Sequence, residues 1–277
     1  MTTTTLCDEL IWGEGLRVRG GTVWSSDTQA GQLLEIDSDG VRRRPLESPT
    51  NGTWFLPDGR LAAARWRDKR IDVLVDGEFQ HYADLSDLVR DTLGDMTGAP
   101  CGRLYVDELG ADPHSGAPIG RVLAVDRDGS ARVAADGLRF PNGLAVVGDS
   151  LIVAETHGAC LTAFDIVDDT GTLENRRTWA DLAEIFTPRF RPDGIWPVAD
   201  GSIWVAATEG EAFVRLYGNE VVDCVPTPGE FAISCCLDGA ALYISASRST
   251  DPQLSLLTEA LPQKKVCGRI ARVDVSP

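Results

Sequence analysis

Five short stretches of this chain set a carboxylate or an amide beside glycine: Gly13-Glu14-Gly15, Asn51-Gly52, Gly94-Asp95, Asn142-Gly143 and Asp193-Gly194. A sixth, Ile233-Ser234-Cys235, keeps the spacing without the polar residue. One such stretch alone is turn chemistry, because Asn, Asp and Gly dominate turns. The set asks for more, since a turn does not explain Glu14. Brought together, Glu14, Asp95 and Asp193 are three carboxylates that cannot all ionise without a compensating cation. With Asn51 and Asn142 they form a hard, all-oxygen donor set. Ca²⁺ is the expected ion, followed by Mg²⁺ or Mn²⁺. Zn²⁺, which prefers nitrogen and sulfur, is the remaining choice.

The elements around these residues supply a way to bring them together. Each stretch is followed eight or nine residues later by a short β-rich run, as in Leu151-Ile152-Val153-Ala154 and Ser202-Ile203-Trp204-Val205. The stretches recur at positions 14, 51, 95, 142, 193 and 233. A period of roughly 44 residues made of short strands is the signature of β-propeller blades. Asp58-Gly59 and Asp200-Gly201 read as hairpin turns. Arg121-Val122-Leu123-Ala124-Val125 and Arg269-Ile270-Ala271-Arg272-Val273 read as third strands. Helical turns are expected only near Tyr82 to Thr92 and Leu182 to Phe186. The expected fold is therefore all-β: a six-bladed β-propeller over residues 1–277, one domain. The segment Cys7 to Trp12 has no partner in its own blade. It is expected to close the ring as the outer strand of the last blade, leaving no unpaired edge.

In a propeller the first strand of each blade lines the central channel, so the six recurring positions face one mouth. The loops after the second strands then form the rim: Arg65-Trp66-Arg67, Asp107-Glu108, Glu155-Thr156-His157, Thr208-Glu209 and Ser247-Arg248. Trp54, Trp66 and Trp196 are candidates to line a substrate pocket together with Asn51, Asp95 and His157. Trp24, Trp179 and Trp204 read as packing between blades. With these aromatics at the mouth, the pocket is more apolar than a sugar site.

Composition excludes several function classes. Acidic residues number 42 against 26 basic, a net charge of −16, so phosphate backbones and anionic lipid are repelled. No apolar run approaches the ~20 residues of a membrane helix. The first residues, Met1-Thr2-Thr3-Thr4-Thr5, lack a basic and an apolar region, so no secretory signal is expected. Seven cysteines, an odd number with no C-x-x-C pair, read as reduced thiols in a cytoplasmic protein. The expected partner is a small molecule, and the expected assembly a monomer or small homo-oligomer. Gly148-Asp149-Ser150-Leu151 spells a serine-esterase signature but falls in a hairpin turn, with no strand-to-helix elbow.

The chain resembles the regucalcin (senescence marker protein) and gluconolactonase family of six-bladed propellers. The resemblance rests on Gly13-Glu14-Gly15, Phe140-Pro141-Asn142-Gly143-Leu144-Ala145, Arg191-Pro192-Asp193-Gly194-Ile195 and Ser234-Cys235-Cys236. It implies a divalent metal, usually Ca²⁺, held by Glu14, Asn142 and Asp193, with Asp193 also the acid/base group. It implies a further position, commonly Asn, that contacts substrate or metal, where this chain has Asp95. Sugar-lactonase members often carry Arg two residues earlier, and this chain has Leu93. The expected activity is a metal-dependent lactonase, the cation polarising the carbonyl and Asp193 acting as base. The alternatives are a phosphotriesterase-like or aryl-esterase propeller hydrolase, resembling diisopropyl fluorophosphatase, and a calcium-binding propeller without turnover.

Overall fold

A computed structural model describes residues 2–110, 117, 119–167, 170–187 and 190–276; His114 lies outside them. The described strands form six four-stranded antiparallel sheets, arranged as the blades of a propeller. The innermost strands are Gly13–Arg19, Thr50–Phe55, Leu93–Gly98, Pro141–Val147, Pro192–Pro197 and Phe231–Asp238. Blades 1 to 5 take four consecutive strands each. Blade 6 takes three from the C-terminal part and its outer strand, Thr3–Leu10, from the N-terminus. That strand pairs antiparallel with Val266–Asp274, with Thr3 opposite Val273 and Leu10 opposite Gly268. The closure expected from the sequence is therefore observed, begun four residues earlier than the segment at Cys7 suggested.

Each blade is sandwiched between two neighbours, so its second and third strands bury both faces. That is why Leu61–Arg65 and Gly120–Val125 read as continuous runs without alternation, and both are wholly buried. Outer strands such as Gly40–Pro45 face water and carry the charge. The core is divided among the blade interfaces: separate clusters join blades 2–3, 3–4, 4–5, 5–6 and 6–1. Trp204 is fully buried between blades 5 and 6, Trp179 packs at the 4–5 interface, and Trp24 meets Phe55 edge-on at 6.2 Å.

Helix is scarce. Leu182–Ile185 forms one turn, capped by Asp181, whose side chain accepts from the amides of Ala183 and Glu184. Tyr82 to Thr92 forms only a turn, closed by Val89 N donating to Leu85 O at 2.9 Å. A second short helix, Leu257–Ala260, lies in the long connection between the second and third strands of blade 6. Gly148-Asp149 turns between the strands Pro141–Val147 and Ser150–Glu155, as the hairpin reading requires. No helix of the described residues is long and apolar enough to cross a membrane.

Candidate functional site

Every inner strand begins with the same irregularity. Pro141 lies opposite Glu155 and Leu144 opposite Val153, three residues on one strand against two on the other. The same bulge follows Gly13, Thr50, Leu93, Pro192 and Phe231. A bulge re-aims the side chains it contains. Here it holds Glu14, Asn51, Asn142 and Asp193, and the next residue is glycine in all four blades. A Cβ on Gly143 would lie 2.5 Å from Asp193 O and Ile195 N, so only glycine lets the inner strands of blades 4 and 5 approach this closely. Cross-links between inner strands hold the ring: Leu16 N donates to Ser234 Oγ at 3.2 Å, and Thr53 Oγ1 to Gly15 O at 2.6 Å.

Blade 3 departs from this pattern. Strand pairing makes Gly94, not Asp95, the counterpart of Glu14, Asn142 and Asp193. Asp95 stands one place later, where four other blades have glycine. Likewise Ala232, not Ile233, holds the mouth position in blade 6. The missing side chain at Gly94 leaves room for the carboxylate of Asp107, which comes from the second strand and would clash with any Cβ there. Asp95 N donates to Asp107 Oδ2 at 2.9 Å. Asp107 was expected on the rim; it lies instead in the floor, fully buried.

Four acids thus converge: Glu14, Asp95, Asp107 and Asp193, with exposures of 6%, 5%, 0% and 4%. Each keeps one buried oxygen without a partner: Glu14 Oε2, Asp95 Oδ1, Asp107 Oδ1 and Asp193 Oδ1. The other Glu14 oxygen accepts from Trp12 Nε1 at 2.8 Å, and Asp193 Oδ2 from Thr208 Oγ1 at 3.1 Å. Burial, then the charge of Asp193, then that of Asp95 raise the Glu14 carboxyl well above its usual range. Burial and Asp95 do the same to Asp193, and burial and Asp95 to Asp107. Asp95 is also raised by burial, against the pull of the Arg17 guanidinium.

The arrangement fits a cation. Unpartnered buried carboxylate oxygens are costly, and a bound divalent ion removes both the repulsion and the missing bonds. Asn142 Nδ2 donates to Thr156 Oγ1 at 3.4 Å and to Asp193, which turns its Oδ1 away as a free acceptor. Among the described residues, no three His, Cys, Asp or Glu side chains could hold one ion together. The set Glu14, Asn142, Asp193 contains two carboxylates only, its third donor being an amide.

The mouth opens into a cavity of about 260 Å³. Its walls come from two equivalent positions of each blade. The residue after the second strand donates its amide to a residue just before the first: Thr28 to Trp12, Trp66 to Pro49, Leu109 to Thr92, Thr156 to Phe140, Thr208 to Arg191, at 2.9–3.2 Å. Glu14, Asn51, Asn142, Asp193, Trp66 and His157 all line this cavity. His157 also meets Phe140 edge-on, ring centroids 4.9 Å apart. Two rim acids are structural. Glu108 accepts from Asp91 N at 2.8 Å and pairs with Arg121, and Glu155 accepts from Arg139 N at 2.7 Å and pairs with Arg176.

Trp54 and Trp196 are not brought to this cavity. Each sits three residues farther along its inner strand, and ~3.3 Å of rise per residue carries it toward the other end of the channel. Their rings lie 5.9 Å apart, with the Arg17 guanidinium 4.9 and 5.3 Å from the two centroids. Arg17, which sequence reasoning missed, is buried and donates to Leu16 O and Met96 O at 2.7 Å each. Trp54 instead borders a larger cavity at the far end, about 570 Å³, which none of the four acids lines. Cys235 and Cys236 are buried nearby, and burial pushes the Cys236 thiol up to about 12, so it stays protonated at neutral pH.

Known proteins share this architecture. A pentonolactonase of Haloferax volcanii is 26% identical over 211 residues, 72% of this chain and 69% of that protein. Two solved structures superpose over nearly the whole chain. A gluconolactonase from Xanthomonas campestris does so with a TM-score of 0.76, at 23% identity, covering 98% of this chain and 89% of that one. A calcium-binding regucalcin from Agrobacterium tumefaciens does so at 0.77, with 20% identity over 97% and 92%. Residues 12–248, from Trp12 at the mouth to the end of the sixth mouth loop, match the family model of the SMP-30/Gluconolactonase/LRE-like region, and the chain belongs to that family.

Proposed function

We propose that this chain hydrolyses cyclic esters at the mouth of its channel, its six blades acting as one domain, with a divalent cation, Ca²⁺ first, held by Glu14, Asn142 and Asp193. The observation that carries this reading is the floor of the pocket, where buried carboxylate oxygens converge without partners. The names of the pentonolactonase and gluconolactonase relatives support it. A divalent ion in that set supplies Lewis-acid polarisation of a carbonyl and stabilises the oxyanion that forms.

The chain's own residues do the rest. Thr208 holds Asp193 through one oxygen, which leaves Oδ1 facing the pocket as a base. Asp193 takes a proton from the attacking water. The ring C–O bond breaks, and the proton passes to the departing alkoxide, giving a hydroxy acid. Trp12 orients Glu14 in the same way. Asp95 and Asp107 lie below and add negative charge that keeps the site selective for cations.

A panel of lactones, aryl esters and phosphotriesters, assayed with the calcium-loaded protein and its Asp193→Asn variant, tests this. Lactone turnover is expected, reduced at least ~10²-fold in the variant with its melting profile retained. A variant that keeps the wild-type rate removes Asp193 as base. Calcium binding without cleavage of any ester favours a calcium-binding propeller.

A further inference from the structure

The walls of the mouth cavity have a chemistry that its floor does not decide. Trp12, Trp66, Leu109, Phe140, Leu257 and Leu261 face it. Its polar side chains are largely spent on one another. Trp12 Nε1 is committed to Glu14, Thr208 Oγ1 to Asp193, and Thr156 Oγ1 to Pro192 O at 2.8 Å. Arg191 pairs with Glu209 at 3.8 Å. Thr28 Oγ1 is buried without a partner, enough to receive one polar group of a ligand.

One wall is an addition to the blade pattern. In blades 1, 2, 4 and 5 the second and third strands are joined by four residues, but in blade 6 by residues 250–265. This segment carries the helix Leu257–Ala260. It is pinned by Thr250 N to Lys265 O at 2.8 Å and Lys265 N to Ala260 O at 2.9 Å. Ala260 packs into a cluster with Trp12, Phe231, Ile233 and Val266. Leu257 and Leu261, four residues apart, share a face and reach the cavity, whereas Glu259 is exposed.

We propose that the substrate is a lactone bearing a short apolar substituent, held against Leu257, Leu261 and the mouth aromatics, and not a polyhydroxylated sugar lactone. The proposal rests on the lactonase reading and specifies its substrate. Hydroxyls carried into these walls would lose water without gaining partners. Each methylene buried there is worth roughly fourfold in kcat/KM. A cavity of about 260 Å³ limits the substituent to a few carbons.

The test compares δ-valerolactone, its δ-butyl derivative and glucono-1,5-lactone on the calcium-loaded full chain. In parallel, calorimetry measures binding of the corresponding lactams, with and without calcium. The butyl lactone is expected to exceed the unsubstituted ring by about 10²-fold in kcat/KM, with the sugar lactone last. The double variant Leu257→Ser/Leu261→Ser, checked for an unchanged melting profile, is expected to cut the butyl-to-unsubstituted ratio at least tenfold. A sugar lactone preferred over the butyl lactone, or a ratio unchanged in the variant, overturns the proposal. If no lactone is cleaved, the lactonase reading fails, and the lactams still decide the pocket. Tighter binding of the butyl lactam than of the hydroxylated lactam supports the apolar site, and equal or weaker binding overturns it.

Discussion

Four carboxylates share one buried space, and Arg17 is the cation that faces Asp95 from below. Its guanidinium is held by two carbonyl oxygens and two indole faces, so it is a fixed charge. Removing one partner of a buried pair strands the other, at a cost of about 3–5 kcal/mol. Arg17→Met is therefore expected to lower stability on that scale in urea melts. Adding Asp95→Asn should recover part of the loss, because the stranded charge is gone. Strictly additive effects in this double-mutant cycle would show that the two side chains do not interact. Glu14 and Asp193 differ from Asp95 in position: they line the mouth cavity, where a ligand can reach them.

Strand Thr3–Leu10 completes blade 6 and contributes Cys7 and Leu10 to the blade 6–1 interface. Deleting residues 2–10 exposes the edge of Val266–Asp274 and opens that interface. The truncated chain is expected to lose its cooperative thermal transition and to self-associate, read by circular dichroism and light scattering. A truncated chain that melts at the wild-type temperature would contradict this closure. The strand was legible in the sequence because it lacked a partner in its own blade, just as the blades were legible from the recurrence of polar-glycine stretches. Finer placement was not. Each inner-strand bulge admits two residues between paired ones, so Gly94-Asp95 could be read one place out. Asp107 reaches the floor from the second strand only because Gly94 has no side chain, a through-space relation that no spacing shows. Trp54 and Trp196 are near Asn51 and Asp193 in sequence, but a strand carries each of them roughly 10 Å away. The apolar wall at Leu257 and Leu261 lies in a connection without a repeat counterpart, so the period gave no hint of it.

Across the molecule a net charge of −16 makes the surroundings favourable to cations, and the floor concentrates that charge where it is least solvated. Glu14, Asp107 and Asp193 are raised well above their ordinary values, chiefly by burial. Without metal the folded chain holds protons there that the unfolded chain has released. Its stability therefore falls as pH rises from the ordinary carboxylate range through the raised values. A cation replaces those protons. Calcium is thus expected to raise the melting temperature more at pH 8 than at pH 5, and a gain equal at both or larger at pH 5 would contradict the cluster as its site. The most direct measurement is lactone hydrolysis by the full chain after exhaustive chelation, followed by stepwise return of Ca²⁺. The expected result is loss of turnover and its recovery with one equivalent of ion per chain. Turnover that survives complete metal depletion would contradict a cation at Glu14, Asn142 and Asp193 as the centre of the reaction.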